Sequence, residues 1–474
     1  MLPSLDKVKD IVNNNIKLLG KSLYLFGTAK YGKTFTPVKI NSLSHLYSEF
    51  GEYGSLIDVY ISIKGMVNGI NVYCVKISGH SSKCTLNINV PGGNVIQNAL
   101  CFQCHKEYND IKLSVFNDSL VFEFPNKETN NIFEYKINQY EPLDNLIRRI
   151  NNDDNDIECF CNCDNSIKPY GNIAIVNPSN VYFCGGESGL NASKLTLYNN
   201  LSIAFDLLRG ELIDVYVPID CFIDDEYDFY KLCINFSLKQ LSHGILSLGV
   251  MGFNSKEEDL DKYVYKIKQE VKNLKLEQYK QYSSLVQIFA GSVITSYNVD
   301  YQYNGYVMYG ALLCNVDIYK PPTSYNIDKN VFLYQEFNNK QLRELTELGV
   351  MCFRNSPLKQ CIVCVNNRTP CNLKHYKFIN VVRAIEISIS CLHDICTTLL
   401  GCNYEELMQN NNLEKTLRQA LNILVENNLL NYYNINIETT NDKTNTEHNE
   451  SLTINLKLKN IYMNDFIERR GALW

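Results

Sequence analysis

The chain is poor in tryptophan (1), histidine (7) and proline (12) for its 474 residues, and it has no basic excess. Its 45 lysines and arginines stand against 51 aspartates and glutamates, a formal net charge of −6. That balance recruits neither nucleic acid nor an anionic membrane surface. No stretch reaches the roughly 18 uninterrupted apolar residues of a membrane span. The opening segment, residues 1–21, alternates apolar residues with Lys, Asp and Asn, so it lacks the apolar centre of an export signal. The expectation is a chain made and folded in a cytoplasm. The histidines are scattered, HExxH and GxSxG are absent, and acidic pairs such as Asp224-Asp225 and Glu257-Glu258 sit in solvated charge runs. No catalytic, cofactor-binding or metal-binding residue is expected.

What is present fits a folded chain of about three domains. Hydrophobic residues make up 45% and charged residues 20%, which excludes a wholly disordered chain. There are 18 cysteines. In a long chain without an export signal they read as reduced thiols, and several lie inside apolar runs, among them Cys74, Cys314 and Cys391. Cys101-Phe-Gln-Cys104-His105 has the spacing of a haem attachment site, and with Cys159, Cys161 and Cys163 it offers the donors of a thiolate zinc site. The CxCxC spacing is not a usual zinc knuckle. Cys361 and Cys364 lie in an apolar strand, where i and i+3 point to opposite faces. Inert thiols are the better reading.

Residues 22–26 (Ser-Leu-Tyr-Leu-Phe) predict a buried strand, Pro37–Ile40 a second, and Asn71–Lys76 a third. From about 81 to 163 the texture changes to short β runs around one helix near Leu143–Ile150, a β-rich insertion. Beyond it come a strand at 172–176, a turn at Gly185-Gly186, a helix at Leu195–Leu208, a strand at Ile213–Pro218, a charged helix at 256–275 and a strand at 285–290. Strands alternating with helices point to an α/β layer. Apolar residues from Phe378 to Leu399 recur every three or four positions, one stripe along a long helix, and Leu413 to Val425 make a second. The run 438–451 is polar throughout and is expected to be mobile. Leu452, Ile454, Leu456 and Leu458 then alternate with polar residues, a one-faced strand that must be added to some sheet.

Gly27-Thr-Ala-Lys-Tyr-Gly32-Lys33-Thr34 fits the phosphate-binding pattern GxxxxGK[ST] and follows a strand. That chemistry needs a helix beginning at Lys33–Thr34, and Pro37 with β-branched neighbours stands where its first turns would run. A loop between two strands is the better reading, and a P-loop NTPase the alternative. A monomeric β-rich binding protein is a further alternative.

In order along the chain, several segments resemble contractile tail sheath proteins, the class shared by bacteriophage tails, tailocins and related injection machines. The first block is Gly27 to Gly32, then Pro37-Val-Lys-Ile40, Phe50-Gly51 and the strand 71–76. Phe183-Cys-Gly185-Gly186-Glu-Ser-Gly189 is similar to the family's Gly-Gly turn. Next come Leu348-Gly349-Val350, then Asn367-Arg368-Thr369 for the family's Gly-Arg-Thr turn, and Phe378-Ile-Asn-Val-Val-Arg383 at a helix start. Many sheath proteins open with an extended arm; here Leu5, Val8, Val12, Ile16 and Leu19 have helical spacing instead.

The resemblance implies a mixed α+β multidomain chain, with a C-terminal α/β sheath core, a β-rich inserted domain and extended terminal arms. The implied segments are an N-terminal arm (1–21), the first part of the core (22–80), the insertion (81–165), a middle α/β domain (166–330), the C-terminal core (331–438), and a linker with arm strand (439–474). It further implies a non-enzymatic structural subunit polymerised helically around an inner tail tube protein, meeting baseplate and tail terminator proteins, in a virion tail or injection particle assembled in a bacterial cytoplasm. Contacts with nucleic acid and membrane are not implied. Subunits would be joined by strand exchange through Leu452, Ile454, Leu456 and Leu458, since β-augmentation links chains by main-chain hydrogen bonds. Pairing of that strand within its own chain is the competing expectation.

Overall fold

The computed structural model describes residues 5–18, 21–79, 82–90, 94–104, 111–116, 119–124, 132–138, 140–153, 157–161, 180–183, 189–190, 192–254, 259–296, 298–318, 320–327, 330–356, 361–399, 412–441, 450–459 and 467–473. The chain is a mixed α/β protein with several sheets. It divides into two units, one of residues 1–26, 58–74 and 201–474, the other of residues 27–57 and 75–200.

The first unit is organised on a parallel sheet. Its strands are β1 (Ser22–Gly27), β2 (Asn71–Lys76), β3 (Val215–Pro218), β4 (Leu248–Gly252), β5 (Val286–Phe289) and β6 (Val350–Met351). They lie in the order β6-β5-β4-β3-β1-β2, and β1 to β3, β3 to β4, β4 to β5 and β5 to β6 all pair in parallel. The order reverses beside β1, as in doubly wound folds. Strands from the expected segments 22–80, 166–330 and 331–438 therefore meet in one sheet. Every residue of β1, β3, β4 and β5 is buried, which is why they read as near-continuous apolar runs, Gln287 excepted: parallel strands are covered on both faces.

Asp214 ties the start of β3 to the start of β1. Its Oδ2 accepts from the Ser22 amide (2.9 Å), the Ser22 hydroxyl (2.7 Å) and the Lys21 amide (3.2 Å). Phe205 stacks on Phe236 with centroids 4.1 Å apart, and Tyr216 meets Phe236 edge-on. The Tyr216 hydroxyl is satisfied inside this cluster by donating to the Cys233 carbonyl at 2.7 Å, as a buried hydroxyl must be. Helices of this unit include α1 (Leu5–Leu18), α2 (Phe229–Ser242), α3 (Gly305–Asn315), α4 (Ile379–Leu399) and α5 (Asn412–Glu426). Helices α2 and α3 pack on the sheet.

The N-terminal segment is helix α1, as its spacing predicts, and it packs on α4 and α5 of its own chain with Val8 and Val12 fully buried. The C-terminal strands are β7 (Tyr432–Asn441), β8 (Glu450–Lys459) and β9 (Ile467–Leu473), an antiparallel sheet in the order β7-β8-β9. Residues 438–441 and 450–451, expected to be mobile, are strand. A hairpin partner supplies main-chain hydrogen bonds whatever the polarity of the side chains.

In the second unit, Ser42 caps the helix Leu43–Phe50 by accepting from the His45 amide at 3.1 Å, and Gly51 ends it. The β-rich segment forms two antiparallel sheets. One has the order Asn180–Tyr182, Lys112–Val115, Ser119–Glu123, Ile132–Lys136; the other comprises Ser82–Val90, Asn94–Cys104 and Ile157–Cys161. With the helix Leu143–Asn152 they enclose one core, in which Leu86, Phe102, Cys104, Leu113, Phe122 and Ile150 are buried. The expected strand at 172–176 lies outside the described residues. The charged helix spans Leu260–Asn273, shorter than expected, because Asp259 caps it by accepting from the amides of Asp261 and Lys262.

Candidate functional site

The glycine-rich loop leaves β1 at Gly27 and leads into a bridge between Thr34 and Lys76, then the strand Pro37–Ile40, with no helix. Several of its amides are already used. Thr28 donates to the Ser55 hydroxyl (2.9 Å), Lys30 to the Tyr53 carbonyl (3.2 Å) and Tyr31 to the Phe50 carbonyl (3.1 Å). Lys33 pairs with Glu158 at 2.7 Å. A phosphate cradle needs those amides and that ammonium unspent, so the loop is a structural connection. Gly32 has φ +96°, and a Cβ there would lie 2.7 Å from the Phe50 ring and 2.9 Å from the Glu49 carbonyl. Gly189 lies against the Ala29 carbonyl and the Lys76 side chain, bringing the end of the Gly-Gly turn to the first block. Gly185 and Gly186 themselves are outside the described residues.

The C-terminal motif residues form one interlocked corner. The helix Asn339–Glu347 opens with a reciprocal cap between Asn338 and Gln341 and closes at Gly349, whose amide donates to the Thr346 carbonyl at 3.1 Å. Gly349 has φ +72°, and a Cβ would sit 2.3 Å from the Thr369 carbonyl oxygen and 2.7 Å from Pro370 Cα. Only glycine permits that approach. Thr369 is buried; its hydroxyl donates to the Tyr376 carbonyl (2.5 Å) and its amide to the Lys377 carbonyl (2.8 Å). Arg368 makes an antiparallel bridge with Phe378, and the Ile379 amide donates to the Asn367 carbonyl at 2.9 Å. The turn thus sets the start of α4.

Arg383, one turn further on, is 2% exposed. Its Nη2 donates to the Val316 carbonyl at 3.4 Å and its Nη1 has no partner among the described residues. Burial pulls the guanidinium below its ordinary range, opposed by nearby groups that include Asp214 and Asp317. Motif spacing gave no sign of this burial.

Leu452, Ile454, Leu456 and Leu458 lie in β8. They stand opposite Thr439, Ile437, Ile435 and Tyr433 of β7, and opposite Leu473, Gly471, Arg469 and Ile467 of β9. The apolar alternation of β7 and β8 is in register, which fixes the pairing. Tyr433 also donates to Asn422 of α5 at 2.6 Å.

Among the described residues no group of His, Cys, Asp and Glu is arranged to hold a metal ion, and no helix is long and apolar enough to cross a membrane. The described cysteines are thiols rather than disulfides. Cys101 and Cys104 lie in the strand Asn94–Cys104 at i and i+3, and burial pushes the Cys159 thiol up, out of the range of a reactive thiolate.

No protein-family model and no curated protein sequence matches the chain. Two solved structures do match it along nearly its full length. The sheath tail protein of Listeria innocua superposes with a TM-score of 0.60 at 10% identity, covering 99% of both chains. This is the fold of the sheath tail proteins. The sheath tail protein of Desulfitobacterium hafniense has a TM-score of 0.55 at 10% identity, covering 97% of both chains. At such identity the sheath fold persists without a readable sequence match.

Proposed function

We propose that the chain is a structural subunit of a contractile tail sheath, with no enzymatic role. The observation that carries this is the end-to-end likeness, 99% of each chain, to a sheath tail protein. Copies polymerise helically around an inner tail tube protein, between baseplate and terminator, in a phage tail, tailocin or injection particle put together in a bacterial cytoplasm. Contraction then drives the tube through the target envelope.

The C-terminal sheet supports a way of joining copies. The pairing of Leu452–Leu458 with Tyr433–Thr439 is set by sequence register, so β7 of a neighbouring copy offers β8 the same contacts as its own β7. Exchange of identical elements replaces each contact with an equal one, and is a low-cost route to assembly. The eight residues 442–449 joining β7 to β8 reach at most about 28 Å when fully extended. A heterologous contact of this kind, repeated without closure, gives an open helix. Deletion of residues 451–474 tests it: we expect a folded chain that makes no tubes by negative-stain electron microscopy, and tubes of normal length from the deleted chain overturn strand exchange. Compact single particles from the full chain at high concentration overturn the sheath reading itself.

A further inference from the structure

The chain contains two Asn-Gly pairs, Asn68-Gly69 and Asn304-Gly305. In such a pair the glycine nitrogen can attack the asparagine side chain, and with no Cβ on glycine nothing crowds the five-membered ring that forms. The attack needs a glycine amide that is not already donating. At Asn304-Gly305 it is spent: the Gly305 amide donates to the Gly291 carbonyl at 3.1 Å, and Gly305 is buried at the start of α3. A Cβ there would lie 2.6 Å from the Phe289 ring.

Asn68 and Gly69 instead lie exposed in the turn between the 3-10 helix Lys64–Met66 and β2. The Ile70 amide closes that turn by donating to the Val67 carbonyl at 3.3 Å. Among the described residues neither the Gly69 amide nor the Asn68 side chain makes a hydrogen bond or ion pair, and a Cβ on Gly69 would meet nothing within 4 Å. Gly69 has φ +84°, a conformation that favours glycine. The turn therefore keeps beside Asn68 the one residue that exposes it most to attack. Both flanks are anchored, Met66 by the Asn315 side chain at 2.5 Å and Asn71 by the Lys21 carbonyl at 2.7 Å, while the turn itself is not.

We propose that Asn68 is a site of spontaneous deamidation, where the folded chain converts to aspartate and isoaspartate without an enzyme. The Gly69 nitrogen forms a bond to Asn68 Cγ, the Cγ–Nδ2 bond breaks, and Nδ2 leaves as ammonia carrying the proton that Gly69 gives up. Water then adds to the cyclic imide. Opening at Cγ gives aspartate; opening at the main-chain carbonyl gives isoaspartate. Water is the only co-reactant, and nothing is oxidised or reduced. Either product adds a negative charge at the entry to β2, and isoaspartate also adds a methylene to the main chain there. The site does not depend on the sheath reading, because a monomeric chain would carry it equally.

The test ages the full-length chain in neutral and in mildly alkaline buffer, then follows both Asn-Gly pairs by peptide mass spectrometry. Asn68 should convert about tenfold faster than Asn304 or more, because the Gly305 amide is released only by local opening of the helix start. Conversion of Asn68 should quicken with pH, since the attacking nitrogen must lose its proton, and in water enriched in oxygen-18 the new carboxyl should carry the heavy atom. Asn68→Gln, which needs a larger ring, should melt like the wild type and convert far more slowly at that position. In denaturant the rates at the two pairs should converge. Equal rates at the two pairs in the folded chain, rates that stay apart in denaturant, or an Asn68 that stays intact in alkaline buffer overturn the proposal.

Discussion

Every residue of β1, β3, β4 and β5 is buried, whereas along β7 Tyr432, Asn434 and Asn436 are exposed and Ile435 is buried. The first pattern belongs to strands covered on both faces, the second to strands with one wet face. Connectivity differs as well. Leu23 pairs with Val215, nearly two hundred residues away, while Ile437 pairs with Ile454 across one hairpin. Long-range parallel pairing forms only together with the whole core. Hairpin pairing is local, has equivalent partners in any other copy, and is the part of the molecule suited to exchange.

If that contrast is right, damage at the corner above the parallel sheet is felt most. Gly349→Val forces a β-branched residue into φ +72° and against the Thr369 carbonyl, and we expect a loss of about 4 kcal/mol or more, read by denaturant unfolding. Arg383→Ala should cost about 3 kcal/mol through the cavity it leaves. Arg383→Met should stay within about 1 kcal/mol of wild type, because a guanidinium with an unpartnered Nη1 gives little back for its desolvation. A severe Met variant would mean that the arginine is paired in solution.

Alkaline pH probes the same core more gently. Burial raises Cys352 and Cys396 from an ordinary 9 to about 12. A thiol raised on folding contributes stability that is intact below its unfolded pKa and lost as pH climbs towards the folded value. Melting temperature should therefore be flat below pH 9 and fall between pH 9 and 12. Leu456→Asp in β8 should change the main unfolding transition by less than about 1 kcal/mol while abolishing tubes in the electron microscope. A large shift of that transition would erase the distinction between the two sheets. Smallest of all, Lys33→Ala removes an exposed pair with Glu158 and should move stability by about 0.5 kcal/mol or less, with ATP turnover the same before and after.

Much of the element pattern was legible because it follows from periodicity. The apolar run 22–26, the stripe from Phe378 to Leu399 and the alternation of 452–458 are local properties. The order of motifs pointed to the sheath fold that the structural likeness supports. What stayed hidden depends on distance in space. Nothing near Gly349 announces that Thr369 will sit against it, and nothing near Arg383 announces burial under Val316. Pro37 already argued against the GxxxxGKT run as a phosphate loop, but that the amides of Thr28, Lys30 and Tyr31 are spent on Ser55, Tyr53 and Phe50 is decided only in space.

By itself the sequence determined which segments are covered on two faces, which on one, and where most helices lie, though not their exact ends, since backbone sterics and side-chain period act within a few residues. Only the tertiary structure decided that strands from distant segments share one parallel sheet, that the N-terminal helix docks on α4 and α5, and that β8 has a partner in its own chain. Those outcomes are chosen by which apolar surfaces meet in register when the whole chain collapses, and such a choice is made between segments rather than within any one of them.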